Sequence, residues 1–194
     1  MTTPNFIEEY EVSLPLCDEI QLFFEKNRHL AQPGHMGPTP RVDNKLKKSL
    51  DIPIPEGLYG HFQGFFQQLA DHVRAYITDH YFNSGAQGLG SLWFSKFSNI
   101  QWYPPGGGYY QLHCERDQLQ VCDRALVWML YLTDTPNGGT EFVHQETVTE
   151  CTKGKLVIWP SDFTHLHRGI VSANHEKMIF TGWIVFSENH DKSL

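Results

Sequence analysis

The chain lacks several features that would assign it to a common class of protein. Its 194 residues include four cysteines but no CxxC pair, which excludes a zinc knuckle and a thioredoxin-type motif. No run approaches the roughly 18 apolar residues that a membrane span requires. The N-terminus has neither the basic start nor the apolar segment of a signal peptide. We therefore expect a soluble, reduced protein of the cytoplasm with no membrane partner.

The charge balance is mildly acidic, with 15 lysines and arginines against 22 aspartates and glutamates and a net charge of −7. No block of basic residues is present, so we expect no nucleic-acid partner. Charged residues make up only 19% of the chain and apolar residues 40%, which is typical of a globular fold. The length predicts one domain over residues 1–194. The 11 histidines are the excess that needs an explanation.

The first 90 residues carry two helical patterns separated by an irregular stretch. Apolar residues recur at helical spacing in 17–29 and, over a longer run, in 57–82. Between them, residues 31–56 hold five prolines and two glycines, a composition that predicts a long irregular segment. We interpret this segment, which includes Lys45, Lys47 and Lys48, as a lid or a rim around a substrate.

From residue 90 onward the pattern becomes that of strands. Alternation or short apolar runs predict strands at 92–103, 125–132, 140–145, 155–159 and 177–186, and the PNGG sequence at 136–139 predicts a hairpin turn. Two helices followed by seven or eight strands predict a mainly β, α+β fold. In this architecture an antiparallel jelly-roll barrel spans 91–188, and residues 1–90 supply helical support and a loop.

Two pairs of polar residues suggest a metal site. His113 and Glu115 are two residues apart, as are His165 and His167, and such pairs share a face on a strand. A barrel brings distant strands face to face, so His113, Glu115 and one of the later histidines can form a two-histidine, one-carboxylate triad. That triad suits non-haem Fe(II), because it leaves coordination positions open. Cys114 points away by the same alternation.

A second group of residues indicates a pocket for a carboxylate. Lys177 starts an otherwise apolar strand and shares a face with Thr181, so an ammonium and a hydroxyl point the same way. Tyr103 ends a strand ten residues before His113. Such a pocket favours an oxygenase over a non-catalytic, cupin-like metal-binding module, which has no use for it. It also disfavours a zinc hydrolase, which needs a general base instead.

Together these motifs resemble the Fe(II)- and 2-oxoglutarate-dependent oxygenases of the prolyl-4-hydroxylase-like group. The matching text is Y-x6-Y-x2-H-x-E (Tyr103, Tyr110, His113 and Glu115), then RALVWMLYLTD, GGTEF, KGKLVIWP and THLHRG-x7-K-x3-T-x-W. The resemblance covers residues 92–186 and is greatest to short stand-alone bacterial and phage members. It implies a double-stranded β-helix, a jelly-roll or cupin-like barrel, with supporting helices.

The resemblance also implies a role for each matching residue. His113, Glu115 and His167 would ligate Fe(II), and the ten residues between His167 and Lys177 favour His167 over His165. Lys177 would pair with the distal carboxylate of 2-oxoglutarate, with Tyr103 and Thr181 as hydrogen-bond donors. The family reaction converts 2-oxoglutarate and oxygen to succinate and CO2 while a substrate C–H bond is hydroxylated. Ascorbate is an optional accessory reductant.

The chain departs from the family at one ligand, since it has HxE where most members have HxD. The retained carboxylate argues against halogenation, and Asp117 is a minor alternative ligand because it lies too far along the strand. Tyr110 is expected to pack beside the metal, Arg124 to form a structural salt bridge, and Trp183 to lie in the core.

The resemblance suggests a substrate class but does not identify the molecule oxidised. Peptidyl proline is the leading substrate by family, and a free amino acid or another small metabolite is the alternative. The sequence makes no prediction of oligomeric state.

Overall fold

The structure is a computed structural model that describes residues 4–35, 42–188 and 194. Within these residues the chain forms two α-helices and twelve β-strands joined by turns and short 3₁₀ segments. The helices are α1 (Leu14–Lys26) and α2 (Gln63–Ile77). The strands are β1 (Glu8–Glu11), β2 (Gln32–Pro33), β3 (Lys47–Lys48), β4 (Leu50–Pro55), β5 (Leu92–Tyr103), β6 (Gly108–Tyr109), β7 (Arg124–Tyr131), β8 (Thr140–Phe142), β9 (Thr147–Thr149), β10 (Lys155–Pro160), β11 (His167–Gly169) and β12 (Lys177–Phe186).

The strands form one large antiparallel sheet and two small ones. The large sheet has the order β1-β10-β7-β12-β5-β4-β2, the second has the order β11-β8-β9, and β3 pairs with β6. Phe142 of the second sheet packs edge-on against Trp159 of the large sheet, with ring centroids 5.2 Å apart. The two sheets therefore face each other across a shared interior. This confirms the predicted double-stranded β-helix with supporting helices.

Alternation along the central strands separates two hydrophobic clusters. On β7, Leu126, Trp128 and Leu130 lie in the cluster that includes the helices, while Val127 and Met129 lie in the barrel interior. β12 alternates in the same way, since successive side chains of a strand point to opposite faces. One face of the large sheet thus carries the helices, and the other is free to hold a site.

The helices cover the outer face of the large sheet through aromatic side chains. Phe65 and Phe66 of α2 contact Trp128 and Phe180 of the central strands, with ring centroids 5.0 to 6.1 Å apart within this group. The helix predicted over 57–82 is α2, preceded by a 3₁₀ segment and followed by a π turn. The helix predicted over 17–29 is α1, which begins and ends three residues earlier than predicted.

The prediction that strands begin only after residue 90 was wrong. β1, β2 and β4 belong to the large sheet, so the part predicted as helical support contributes three of its seven strands. β4 was predicted as irregular because it contains Pro53 and Pro55. β2 pairs only with residues 50–51, so the rest of β4 is an edge strand, where the missing N–H of proline is tolerated. Residues 36–41 of the predicted lid lie outside the described residues.

The predicted hairpin at PNGG was also wrong. The turn connects β7 of the large sheet to β8 of the second sheet, and β8 pairs with β9 and β11 rather than with β7. Asn137 has a positive φ of 54°, whereas Gly139 is required by packing, because a Cβ there would lie 1.7 Å from the carbonyl oxygen of Thr149. Gly139 is therefore needed for the close approach of β8 to Thr149 of β9, whereas the left-handed residue of the turn is Asn137.

No helix among residues 4–35, 42–188 and 194 is long and apolar enough to cross a membrane.

Candidate metal centre

Three predicted side chains converge at one end of the barrel interior. Ligand atoms of His113, Glu115 and His167 all lie within 4.8 Å of one another. Oε1 of Glu115 is 3.4 Å from Nε2 of His113 and 3.7 Å from Nε2 of His167. Two imidazole nitrogens and one carboxylate oxygen therefore face a common point, with the composition that suits a non-haem Fe(II) ion.

Backbone pairing brings the two histidines together. The amide of each of His113 and His167 donates to the carbonyl of the other, at 3.0 and 2.9 Å, and forms an isolated antiparallel bridge. The amide of Glu115 donates to the backbone carbonyl of Ser161 at 3.1 Å, so the backbone of the third residue is held as well. We predicted that His113 lies in an extended strand, and this was wrong. A single bridge to β11 is sufficient to place its side chain.

Hydrogen bonds to the backbone orient both imidazole rings. Nδ1 of His113 donates to the carbonyl of Gln111 at 2.8 Å, and Nδ1 of His167 donates to that of His165 at 2.9 Å. A carbonyl only accepts, so the proton lies on Nδ1 and the lone pair on Nε2 faces the centre. Burial lowers the pKa of His167, with partial compensation from Glu115, and this favours the neutral, metal-binding form.

Aromatic rings support both histidines from outside. The ring of Tyr109 stacks on His113 with centroids 3.9 Å apart and an interplanar angle of 18°. Trp159 packs edge-on against His167 at 5.1 Å. We predicted that Tyr110 would pack beside the metal, but its hydroxyl donates to the carbonyl of Gly106 instead. The sequence offers two adjacent tyrosines, and only the pairing of β3 with β6 decides which one faces His113.

The second oxygen of Glu115 has two protein partners, Trp183 and Arg124. Nε1 of Trp183 donates to Oε2 at 3.0 Å, and Nη1 of Arg124 donates to the same atom at 3.2 Å. Arg124 thus forms the predicted salt bridge, while Trp183 is a polar partner rather than a core residue.

His165 does not join the three converging side chains. Residues Phe163–His165 form a 3₁₀ turn, so the strand alternation that placed His165 and His167 on one face does not apply. Nε2 of His165 lies 2.9 Å from the backbone carbonyl of Asn5, and His165 is not among the converging ligands. Asp117 is exposed, and the group of converging ligands does not include it. Of the two candidate histidines, the structure therefore places His167, and not His165, beside His113 and Glu115.

Lys177 is a buried cation at the other end of β11 from His167. Its Nζ donates to the carbonyls of Gly138 at 2.9 Å and Ile170 at 3.3 Å. A Cβ built on Gly169 would lie 3.3 Å from Nζ, so this glycine leaves room for the ammonium. Burial lowers the pKa of Lys177 from 10.5 to about 8. The ammonium is thus held in a desolvated position where an anion would gain most from it.

Tyr103 lies directly across from Lys177 in the pairing of β5 with β12. Nζ of Lys177 is 5.1 Å from the centroid of the tyrosine ring, and the Tyr103 hydroxyl donates to Oε1 of Gln101 at 2.5 Å. The Thr181 hydroxyl donates to the carbonyl of Trp128 at 2.8 Å. All three predicted carboxylate-binding residues therefore have partners within the protein. Gln101, next to Tyr103 on the same face, was not predicted, because a single glutamine in a strand gives no signal.

A comparison with protein families finds a match within the strand-rich part of the chain. The model of the 2OG-Fe(II) oxygenase superfamily matches residues 98–185, a span that contains all six predicted site residues. This match supports a 2-oxoglutarate-dependent dioxygenase, with Fe(II) as its metal and 2-oxoglutarate as its co-substrate. This confirms the enzyme predicted from the sequence over the non-catalytic module and the zinc hydrolase.

Solved structures with the same fold include several prolyl hydroxylases. The viral collagen prolyl hydroxylase of Paramecium Bursaria Chlorella virus-1, in complex with 2-oxoglutarate, is 16% identical with a TM-score of 0.69, covering 94% of this chain and 97% of that one. A prolyl-4-hydroxylase of Pseudomonas putida is 17% identical with a TM-score of 0.69, covering 94% and 93%. A Trichoplax adhaerens prolyl hydroxylase bound to a hypoxia inducible factor peptide is 16% identical with a TM-score of 0.70, covering 94% and 84%. The TM-scores establish a shared fold, which is the extent of the likeness at these identities.

Among curated protein sequences, none matches this oxygenase.

Proposed function

We propose that this oxygenase hydroxylates a proline residue within a peptide, using Fe(II) held by His113, Glu115 and His167. The superfamily accounts for iron and 2-oxoglutarate, while the ligand set, the co-substrate pocket and the substrate are our proposal. Residues 1–194 would act as one domain. A peptide is the partner that this proposal requires.

The ligand set is supported by hydrogen bonds that orient each metal-binding side chain. Both histidines present Nε2 because Nδ1 is held by a backbone carbonyl, and Glu115 presents Oε1 because Oε2 is held by Trp183 and Arg124. Fe(II) bound there would couple the oxidative decarboxylation of 2-oxoglutarate to the insertion of oxygen into a C–H bond.

The observation that carries the proposed iron and 2-oxoglutarate site is the position of Lys177 relative to His167. The ammonium lies against Gly169, which is two residues from His167 along β11. At about 3.3 Å per residue, the two sites are roughly 7 Å apart along the strand. A five-carbon diacid can bridge this spacing with its distal carboxylate at Lys177 and its 2-oxo acid end at the metal. Tyr103 and Thr181 would donate to the distal carboxylate after exchanging their internal acceptors for it.

The residues around this pocket would orient the co-substrate and exclude water. Ile179, between Lys177 and Thr181 on the inner face of β12, is buried, as are Trp159 and Phe142 beside His167. A charge-assisted hydrogen bond from a desolvated lysine is stronger than one in water, because the low local dielectric increases the attraction. The pocket would thus hold a dianion in one orientation with its reactive end toward the triad.

A prolyl substrate is supported by the relatives of the fold rather than by a contact in this chain. Three proteins with the same fold over 94% of this chain are prolyl hydroxylases, one of them bound to a peptide. A free amino acid or another small metabolite is the competing substrate class, and the two classes differ in a product that can be measured.

Incubation with proline-containing peptides tests the substrate class. We expect Fe(II), 2-oxoglutarate and oxygen, with ascorbate as an accessory reductant, to add the mass of one oxygen atom to a peptide at a proline. Succinate should form in equal amount. The matched control replaces that proline by alanine, and mass spectrometry locates the modification. Turnover of free proline or another small molecule, with every peptide unchanged, would contradict the peptidyl proposal but leave the oxygenase intact.

A further inference from the structure

The structure holds the metal-facing carboxylate from behind by two side chains on adjacent strands. Oε1 of Glu115 faces the two histidines, whereas Oε2 accepts hydrogen bonds from Nε1 of Trp183 at 3.0 Å and Nη1 of Arg124 at 3.2 Å. We name Arg124 and Trp183 the glutamate clamp. The clamp uses one carboxylate oxygen and leaves the other free to bind a metal.

The clamp is itself fixed in place. The guanidinium carbon of Arg124 lies 3.6 Å from the centroid of the Trp183 ring, so the two side chains stack on each other. Nη1 of Arg124 also donates to the backbone carbonyl of Glu115 at 2.9 Å, which ties the arginine to both ends of the same residue. Removal of either member would therefore loosen the other.

The strands explain why the clamp is aimed at Glu115. Arg124 is the first residue of β7, and Trp183 lies on the neighbouring β12. Trp183 pairs in regular register with Val127 of β7. It follows Ile179 and Thr181 on one face of β12, because side chains two residues apart on a strand point the same way. That face packs against the barrel interior, so the indole lies on the side of the sheet where Glu115 is found.

The clamp compensates for the greater length of Glu115 compared with an aspartate ligand. Glutamate has one more rotatable bond than aspartate, and ordering that bond costs conformational entropy when a metal binds. Because the clamp orders Glu115 beforehand, this cost is met during folding rather than during metal binding. We propose that Arg124 and Trp183 are positioning residues that make Glu115 a one-oxygen metal ligand. This inference rests on the proposed ligand set.

Replacement of Trp183 by phenylalanine tests the clamp most cleanly, because it removes the indole N–H and keeps a ring for Arg124. We expect Trp183→Phe to weaken Co(II) binding, measured by competition with a chelator in the absence of 2-oxoglutarate. The loss should be about tenfold, within the 10–100-fold range for the partners of metal ligands. Arg124→Met should lose more, and Arg124→Lys should recover part of that loss.

The chain provides a matched control for this experiment. Nε1 of Trp102 donates to Glu176 at 3.0 Å, and Arg28 lies 4.3 Å above the same ring, so the same three residue types form a similar group elsewhere. Trp102→Phe should leave Co(II) affinity unchanged.

A double-variant cycle adds a readout that general destabilisation would not reproduce. The shorter carboxylate of Glu115→Asp would not reach both the metal and the clamp, so Trp183→Phe should have little further effect on Co(II) affinity in that background. Circular dichroism and thermal melting identify any variant that fails to fold.

Different results overturn the clamp and the ligand set. If His167→Ala weakens Co(II) binding but Trp183→Phe and Arg124→Met do not, the clamp is wrong and the ligand set stands. If the two clamp substitutions weaken binding equally with glutamate or aspartate at position 115, the positioning role is wrong. If His167→Ala leaves Co(II) affinity unchanged, the ligand set is wrong and the clamp falls with it.

Discussion

The His167→Ala variant is expected to lose iron binding and with it the conversion of 2-oxoglutarate to succinate. Structural zinc sites gain about 10–16 kcal/mol from their ligands, so one ligand of such a set contributes about 3 kcal/mol or more. That energy corresponds to a loss of metal affinity of roughly 100-fold or more. The measurement is the Fe(II) dissociation constant together with succinate released in oxygenated buffer.

His165→Ala is the control for this prediction, because His165 lies two residues away with its ring toward Asn5. We expect this substitution to lower stability, since it removes a buried hydrogen bond, and to leave metal affinity within about threefold of the wild-type value. The opposite ranking, with His165→Ala the more damaging to iron binding, would refute the ligand set.

The Lys177→Met variant is expected to lose affinity for 2-oxoglutarate while it still binds metal. A hydrogen bond to a charged group contributes about 1.5–3 kcal/mol, so the loss of the ammonium should weaken co-substrate binding by roughly 10–100-fold. Isothermal titration under anaerobic conditions, with Fe(II) already bound, measures the dissociation constant. Unchanged affinity in Lys177→Met would contradict the assignment of the carboxylate pocket.

The pH dependence of binding provides an independent readout of Lys177. Burial lowers its pKa to about 8, and only the ammonium form attracts a carboxylate. Affinity for 2-oxoglutarate should therefore be constant well below pH 8 and fall by up to about tenfold for each pH unit above it. Lys177→Arg removes this dependence if it binds at all, since arginine stays charged.

The free energy of unfolding should increase with pH, whereas the affinity for 2-oxoglutarate decreases. Between about pH 8 and the ordinary value of 10.5, the unfolded chain holds this proton more tightly than the folded one. The contribution of Lys177 to the free energy of unfolding therefore rises with pH across that window, by about 3 kcal/mol in total. Lys177→Met should lack that rise when urea unfolding of the two proteins is compared at pH 8 and pH 10.

Local sequence pattern was sufficient where one face of a strand decides the structure. β5 and β12 have the predicted bounds, because alternation over ten or more residues specifies both the strand and its faces. The same alternation placed Lys177 in the interior. The pairing of Lys177 with Tyr103 was suggested only by family resemblance, because strand register is a tertiary property.

The predictions that failed depended on contacts between distant segments. β1 and β2 are short and lie at the two edges of the sheet, so their own sequences carry little strand signal. Trp183 was assigned to the core from its apolar strand, and only its pairing environment shows that the indole N–H reaches Glu115. His165 was placed on the face of His167 because a 3₁₀ turn was taken for a strand.

The departure from HxD to HxE was an open question in the sequence and has a physical answer in the structure. The additional methylene of Glu115 does not leave a loose carboxylate, because Arg124 and Trp183 hold its second oxygen. A sequence signal did exist, since both residues lie in matched motifs, RALVWMLYLTD and T-x-W. Neither motif alone indicates that the two side chains meet at one carboxylate.

The most direct test of the proposed site is an anaerobic titration of 2-oxoglutarate into the Fe(II)-loaded protein. We predict the weak visible absorption band of a 2-oxo acid chelated to Fe(II), with saturation at one equivalent and with succinate formed when oxygen is admitted. The band should be absent from His167→Ala and present in His165→Ala. A wild-type protein that binds Fe(II) but shows neither the band nor succinate would contradict the proposed site.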